Sequence, residues 1–420
     1  MLVRALGRRG IEQEAAEKAE AWLEPGAGTF GVTLSLILCF LCLVISLWLG
    51  CCLLFPVSSV MPAPCIGFLA PAPLTNGYTA AVRFAAHLTG DPRGIEKLTA
   101  CEMKSHADIV QAAAAGEIDY GVIAVENTLD GIIIESIREL ERLFETERPR
   151  RPYICWEELL PIRHLFISRS GNFSEVRRIA SHASALRQCS RFLAAVHKAL
   201  PEVEITQSLS TGQGVKEALA DPAVAAMASP EALEHHGEEL REVNLPGSGV
   251  DWPDPHSLTD FRHGFTRFWV LGPQPMAAIA PPENRIRVTQ RDQLAQITGT
   301  VDHHIQKTCY LLNLPDTAGA MHRALGAFAS RGISVAVLYP YPRLERAFEY
   351  LFFAEIEGHC DDPLVAEAER AINDRHASRP VHERPCILLG SYPNTPLLHR
   401  HPAQREAFRR RFYPETVWRE

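Results

Sequence analysis

An uninterrupted run of small and apolar residues extends from Tyr120 to Val125, between Asp119 and Glu126. Six such residues in a row leave no polar face, so a strand with this sequence has both of its faces covered. That pattern is typical of a parallel sheet with helices packed on each side. The run therefore predicts an α/β fold.

The composition fits this prediction. The 420 residues include 46% hydrophobic and 22% charged residues, as in ordinary globular proteins, and they suffice for two or three domains. A formal net charge of -8 offers no basic face to nucleic acid. The eleven cysteines have no regular spacing, which indicates reduced thiols in a reducing compartment.

Residues 1–60 form a leader of different character. No charged residue occurs from Phe30 to Phe55, and this length suffices to cross a bilayer. One interpretation is a single hydrophobic helix, residues 30–55, that anchors the chain to a membrane. The other is a misassigned start, because the segment that begins at Met61 resembles the beginning of a soluble enzyme. In both cases we expect the domains that follow to be cytoplasmic.

Residues 64–272 alternate strand and helix patterns and predict two α/β lobes with a cleft between them, like a periplasmic binding protein. The second lobe starts near Val176, and the strand Phe265 to Gly272 closes the region. Ligands of such sheets bind beyond the carboxyl ends of the strands. We therefore expect the functional residues to follow the strands.

The rest of the chain predicts a smaller module. A linker rich in Pro and Ala opens residues 273–306, and residues 307–393 show the order βαββαβ of a ferredoxin-like fold. Residues 394–420 form a tail.

Polar residues occur where strands end and helices begin. Asn127, Ser181, Ser210 and Thr211 occupy such positions, and each has two interpretations. As isolated facts they are typical of turn and helix-capping residues. Grouped at the same edge of two facing sheets, they would instead form a ligand site rich in hydroxyl and amide donors.

Several short motifs occur in the order found in the prephenate dehydratase family, and the chain resembles this family from about Cys65 to Pro393. They are Asp119-Tyr120-Gly121-Val122 with Glu126-Asn127-Thr128, Ser181-His182 with Gln188-Cys189, Ser210-Thr211, Ala228-Ser229, Thr266-Arg267-Phe268, and Leu389-Gly390-Ser391-Tyr392-Pro393.

This resemblance implies a lyase that converts prephenate to phenylpyruvate for phenylalanine biosynthesis, without metal or cofactor. Thr266 would stabilise the departing hydroxyl, Arg267 would bind a carboxylate or organise the site, and Asn127 would donate to the substrate. The implied substrate-binding residues are Phe268, Ser181, Gln188, Ser210, Thr211, Thr75 and Asn76.

The smaller module resembles the ACT domain of the same family, in which regulatory phenylalanine binds at a subunit interface. Gly319, Ala320 and Met321 match one half of the effector motif. The charged companion motif is replaced here by a Tyr-Pro-Tyr-Pro sequence that contains Tyr339 and Tyr341. We expect a homodimer or homotetramer, with an aromatic amino acid as the candidate effector or with the module serving mainly for dimerisation.

The first loop departs from the family pattern. The family has small donors where this chain has Ala70 to Asn76, and only Pro71 is retained. Two alternatives follow from this change. The chain would act on arogenate or decarboxylate prephenate with the hydroxyl retained, or it would be a catalytically silent protein that binds a ligand.

Overall fold

The computed structural model describes residues 63–144, 150–245, 257–261, 264–279, 285–291, 298–343, 346 and 348–400. The hydrophobic segment at residues 30–55 lies outside these ranges. Within them, no helix combines the length and the apolar character that a bilayer span requires.

Residues 63–272 alternate strands and helices, as predicted. The helices are α1 (Asn76–Thr89), α2 (His106–Ala115), α3 (Ile134–Phe144), α4 (Ala183–Gln188), α5 (Ser190–Ala199), α6 (Thr211–Ala220) and α7 (Pro230–His235). The strands are β1 (Cys65–Leu69), β2 (Thr99–Met103), β3 (Tyr120–Asn127), β4 (Gly131–Ile132), β5 (Tyr153–Pro161), β6 (Leu165–Ser168), β7 (Arg178–Ser181), β8 (Glu204–Gln207), β9 (Val224–Ala228), β10 (Arg241–Glu242) and β11 (Phe265–Gly272).

The remaining described elements form the smaller module and its approach. The helices are α8 (Ala320–Ala329), α9 (Pro363–Asn373) and α10 (Thr395–Arg400). The strands are β12 (Arg285–Arg291), β13 (Thr298–His304), β14 (Gln306–Leu312), β15 (Val335–Pro342), β16 (Tyr350–Glu357) and β17 (Cys386–Pro393).

Two mixed sheets confirm the α/β class. The large sheet has the order β15-β16-β14-β17-β5-β11-β3-β1-β2, with β4 beside β3, and the small sheet has the order β10-β6-β9-β7-β8. Strands β1, β2 and β3 run parallel, whereas β11 runs antiparallel between β3 and β5. The amino end of β11 therefore meets the carboxyl end of β3, which brings Thr266 opposite Asn127.

The smaller module continues the large sheet. Its strands follow the order β15-β16-β14-β17, which is that of a βαββαβ ferredoxin-like fold, and β17 pairs in parallel with β5. Gly390 lies opposite Ile154 at this junction, and a side chain on Gly390 would overlap the backbone of Ile154. Glycine is therefore required for the two parts of the sheet to join.

The predicted linker is more structured than its composition indicated. Strands β12 and β13 pair as an antiparallel hairpin inside residues 273–306. The segment before the hairpin is bound to the module, because Met276 N donates to Ser391 O (2.9 Å) and Gln306 Nε2 donates to Ala277 O (2.8 Å). These contacts join residues far apart in sequence, so composition does not reveal them.

The expectation that all cysteines are free thiols was wrong for one pair. Cys65 on β1 and Cys101 on β2 form a disulfide. Parallel pairing of the two strands sets Cys101 opposite Gly67, two residues from Cys65, which brings the two sulfurs within reach. This register is a tertiary property that cysteine spacing does not encode. Among the described residues, Cys155, Cys189, Cys309, Cys360 and Cys386 are free.

Candidate functional site

Thr266 lies at the edge of the large sheet, where β3 ends and β11 begins. Its Cα atom is paired with that of Asn127. Two hydrogen bonds hold this corner: Thr128 N donates to Phe265 O (2.9 Å), and Phe265 N donates to Thr128 Oγ1 (2.8 Å). The corner therefore fixes the Thr266 backbone beside the turn that follows β3.

Asn127 shapes this turn. Its Oδ1 accepts hydrogen bonds from Leu129 N (2.9 Å) and Asp130 N (3.3 Å). The turn-forming role that the sequence left open is therefore present in the structure. The side-chain carbonyl of Asn127 is committed to the turn, which leaves its amide nitrogen as the group suited to a ligand.

Phe268 occupies the core rather than a binding surface. The alternation of β11 places Thr266, Phe268 and Val270 on one face, and Phe268 is 3% exposed in a core cluster with Ala80 and Phe84. A side chain buried in this way packs β11 against α1, on the same face of the strand as Thr266. Its position therefore does not match the predicted contact with substrate.

Ser181 is also committed to structure. Its Oγ donates to Met227 O (2.6 Å), and the residue is fully buried in the small sheet. The bond joins the parallel strands β7 and β9, so the hydroxyl holds the sheet together. The predicted substrate contact of Ser181 does not fit this placement.

Gln188 does lie where the two sheets approach each other. Its Nε2 donates to Asp130 Oδ2 (2.9 Å), in the turn after β3 of the large sheet. The chain has two short helices here instead of one: α4 ends at Gln188, and Asp260 caps the start of α5 by accepting from Arg191 N (3.2 Å) and from Ser190 Oγ (2.6 Å). A cap from 70 residues away in sequence is invisible to helical periodicity.

The first loop and the start of α6 meet across the two lobes. Ser210 Oγ accepts from Gln213 N (3.0 Å) and caps α6, with Thr211 as its first residue. Ser210 is therefore a helix-capping residue, one of the two interpretations that its sequence position allowed. A Cβ atom built on Gly212 would lie 3.3 Å from Leu74 Cβ, so the first loop packs closely against the start of α6.

Thr75 and Asn76 end the same loop. Thr75 Oγ1 accepts from Tyr78 N (3.2 Å) and donates to Leu69 O (2.8 Å), so it caps α1 and ties it to β1. Asn76 is exposed at the start of α1. Of this pair, Asn76 has the side chain that remains accessible to a ligand.

Arg267 points to the other face of β11 and lies in a buried ion cluster. Its guanidinium binds the carboxylates of Glu126 (2.9 Å), Glu157 (3.1 Å) and Glu355. Lys307 binds Glu157 (2.9 Å) and Glu355 (2.7 Å) as well. Glu355 and Lys307 belong to the smaller module, so the cluster connects β16 and β14 with β3, β5 and β11.

This placement favours an organising role for Arg267 over contact with substrate. The residue is 6% exposed, and its guanidinium also lies over the Trp269 ring at 5.5 Å from the centroid. Glu126 immediately precedes Asn127, Arg267 immediately follows Thr266, and Glu126 and Arg267 are ion-paired. The cluster therefore fixes the backbone of both candidate residues from the face of the sheet opposite to the Thr266 side chain.

The opposite charges in the cluster keep each other ionised. Burial opposes ionisation of Glu355, but the positive charges of Arg267 and Lys307 and their hydrogen bonds outweigh it and hold the pKa of Glu355 at about 2. Burial also disfavours the charged guanidinium, yet Glu355 and Glu157 raise the pKa of Arg267 well above its usual value. Both partners therefore stay ionised at neutral pH.

A pH dependence of stability follows from the depressed pKa of Glu355. Its ionised form stabilises the fold fully above about pH 4.5, and this contribution is lost as the pH falls towards 2. We expect the urea midpoint of the full chain to fall over this interval, and to fall less steeply in the Glu355→Gln variant. The control Glu204→Gln, at an exposed position, should keep the wild-type slope; equal slopes for all three proteins would contradict the assignment.

Sequence patterns missed several of these residues. Glu157, Lys307 and Glu355 are charged residues in strands that are largely apolar, which is a signal visible in the sequence. Asp130, Ser184 and Arg187, which meet across the two sheets, carry no comparable signal because turn and helix positions are commonly polar.

The predicted effector residues separate into two places. Gly319, with φ of 77°, is the N-cap residue of α8, and Ala320 and Met321 lie in the first turn of that helix. Tyr341 is 2% exposed and packs in the core cluster shared with α3, where its hydroxyl accepts from Arg138 Nε (2.9 Å), and Tyr339 packs against that cluster. Tyr341 is therefore engaged within the chain and does not match a role in effector binding.

One group of candidate metal ligands occurs among the described residues. His359, Cys360 and Asp361 bring their ligand atoms within 4.8 Å of one another. His359 Nε2 donates to Met276 O (2.7 Å), and its Nδ1 accepts from Asp361 N (3.0 Å). Both ring nitrogens thus have protein partners, and the group serves the packing of the predicted linker.

The family model for prephenate dehydratase matches residues 72–276, which include Asn127 and Thr266. A bifunctional chorismate mutase/prephenate dehydratase of Aquifex aeolicus is 27% identical over 286 residues, 68% of this chain and 64% of that protein. The chain thus spans less than two thirds of this relative.

Two further proteins are similar to this chain. A prephenate dehydratase of Bacillus subtilis is 28% identical over 266 residues, 62% of this chain and 80% of that protein. The structure of a prephenate dehydratase from Arthrobacter aurescens in complex with L-Phe aligns with a TM-score of 0.57 at 22% identity. It covers 79% of this chain and 90% of that chain and shows a shared fold.

Proposed function

The chain belongs to the prephenate dehydratase family, and on that premise we propose that it converts prephenate to phenylpyruvate. The observation that carries the proposal is the corner at which Thr266 faces Asn127, within the matched residues. This corner lies beyond the carboxyl ends of β1 and β3, where ligands of α/β sheets bind. The two sheets would form two lobes that close on the substrate, as in a periplasmic binding protein.

The reaction needs positioning more than reactive groups. Prephenate loses carbon dioxide and its ring hydroxyl, and the ring becomes aromatic, which supplies the driving force. A hydroxyl donor beside the departing oxygen stabilises the negative charge that develops there. Thr266 is proposed for this role, with the Asn127 amide as a donor to the substrate. Arg267 is proposed to position both through the ion cluster.

The test is incubation of the full chain with prephenate. Phenylpyruvate formation, followed by its ultraviolet absorbance in alkali, would support the proposal. The altered first loop favours arogenate as a second candidate substrate, because the loop carries Leu74 and a committed Thr75 hydroxyl in place of small donors. Phenylalanine formed from arogenate alone would favour that candidate, and binding of prephenate without any product would refute both.

We propose that residues 307–393 act as an ACT module that joins copies of this chain. Strand β15 is an edge strand of the large sheet, and Leu338 on it is 37% exposed. An edge strand of this kind offers unpaired backbone groups to a second copy. A homodimer built at this edge is therefore the proposed assembly.

L-Phenylalanine is expected to leave the rate of the proposed reaction unchanged. Strand β15 contains no charged residue that could pair with the ammonium or carboxylate group of an amino acid. Its Pro340 and Pro342 have no backbone N–H, and the Tyr341 hydroxyl already accepts from Arg138. Steady-state rates at increasing L-phenylalanine would test this, with L-alanine as the control compound. Inhibition by L-phenylalanine alone would contradict it.

A further inference from the structure

Three side chains of the α4 region converge on the carboxylate of Asp130, in the turn after β3. Asp130 Oδ2 accepts from Ser184 Oγ (2.8 Å) and Gln188 Nε2 (2.9 Å), and Asp130 Oδ1 accepts from Arg187 NH2 (3.2 Å). The donors lie on one side of the boundary between the sheets, and the acceptor lies on the other.

The two hydrogen-bond partners of Gln188 determine the orientation of its side-chain amide. An ionised carboxylate only accepts hydrogen bonds, so the amide nitrogen of Gln188 faces Asp130 and its Oε1 faces His164. His164 Nε2 lies 3.0 Å from Gln188 Oε1 and must carry the hydrogen. Burial lowers the pKa of His164, in keeping with a neutral ring. Gln188, which is 4% exposed, is thus held as a donor aimed at a carboxylate.

Asp130 is not needed to hold its own turn. The Asn127 side chain already accepts from Leu129 N and Asp130 N, and Thr128 ties the turn to Phe265. The three donors form a set with one positive charge and two neutral groups, which suits one carboxylate. Any other carboxylate placed there would find the same partners.

We propose that Ser184, Arg187 and Gln188 form a subsite for one carboxylate of the substrate, and that Asp130 occupies it when no substrate is bound. The proposal rests on the proposed function, because prephenate carries two carboxylates. Substrate displaces Asp130 from its donors and takes over the contacts between the lobes. This subsite supplies anion donors that the first loop lacks, and Asp130 acts as an internal competitor.

Removing the competitor should strengthen binding. In Asp130→Ala we expect the KM for prephenate to fall by about tenfold, with a much smaller change in kcat. This factor corresponds to a wild-type protein in which Asp130 leaves the subsite free in about one-tenth of the molecules. Arg187→Ala should raise the KM by a similar factor because a charge-assisted bond is lost. Asp316→Ala removes the same charge from an exposed position of the smaller module and should change neither constant.

Calorimetric titration of the full chain with prephenate, and separately with malonate, tests the subsite independently of turnover. Tighter binding of both compounds by Asp130→Ala than by wild type supports it, even if wild type forms no product and the proposed function fails. Equal or weaker binding by a folded Asp130→Ala overturns it. Asp130→Asn, which keeps the shape of the side chain, is the second variant should alanine prevent folding, and it should also bind more tightly.

Discussion

Replacing Thr266 with alanine is expected to lower the kcat for prephenate by about a hundredfold or more. The variant keeps the β11 backbone and its pairing with β3 but loses the hydroxyl that would bind the departing oxygen. Since the ground-state complex depends on the carboxylates, the KM should change much less than the kcat. Steady-state kinetics with prephenate, on full-length protein, would measure both constants.

Thr266→Ser is the matched control for this prediction. Serine keeps the hydroxyl and loses one methyl group, so most of the activity should remain. A Thr266→Ala variant with wild-type kcat would remove Thr266 from the mechanism. Equal losses in both variants would indicate that packing of the methyl group, at a residue 8% exposed, matters more than the hydrogen bond.

Replacing Arg267 with methionine is expected to cost about 3–5 kcal/mol of the free energy of unfolding. The change removes the central cation and leaves the carboxylates of Glu126, Glu157 and Glu355 with only Lys307 among the cluster's cations. Two of these carboxylates are nearly inaccessible to water, so solvation cannot replace the lost partner. Urea denaturation should show the midpoint lowered by about 1 M or more.

The exposed Arg169 provides the matched control for this substitution. Arg169→Met should change the free energy of unfolding by less than about 0.5 kcal/mol. Stability of Arg267→Met equal to wild type would show that the cluster contributes little. Because the cluster also fixes Thr266 and Asn127 from behind, a folded Arg267→Met should lose activity as well.

The cluster joins two parts of the chain that the sequence presents as separate domains. Glu355 and Lys307 belong to the ferredoxin-like module, and Arg267 belongs to the strand that carries Thr266. One continuous sheet runs through both parts, with Gly390 at the junction. A shift of the module would therefore act directly on the position of Arg267.

The sequence by itself determined the α/β class, the alternation of strands and helices and the placement of Thr266 and Asn127 at element ends. These follow from local periodicity and turn chemistry, which short stretches of chain encode. Only the tertiary structure decided how the polar side chains are used: Ser181 binds Met227, Arg267 lies in a buried cluster, and Asp130 meets Gln188. Those pairings depend on the register between strands and on the approach of two sheets, and no local pattern records either.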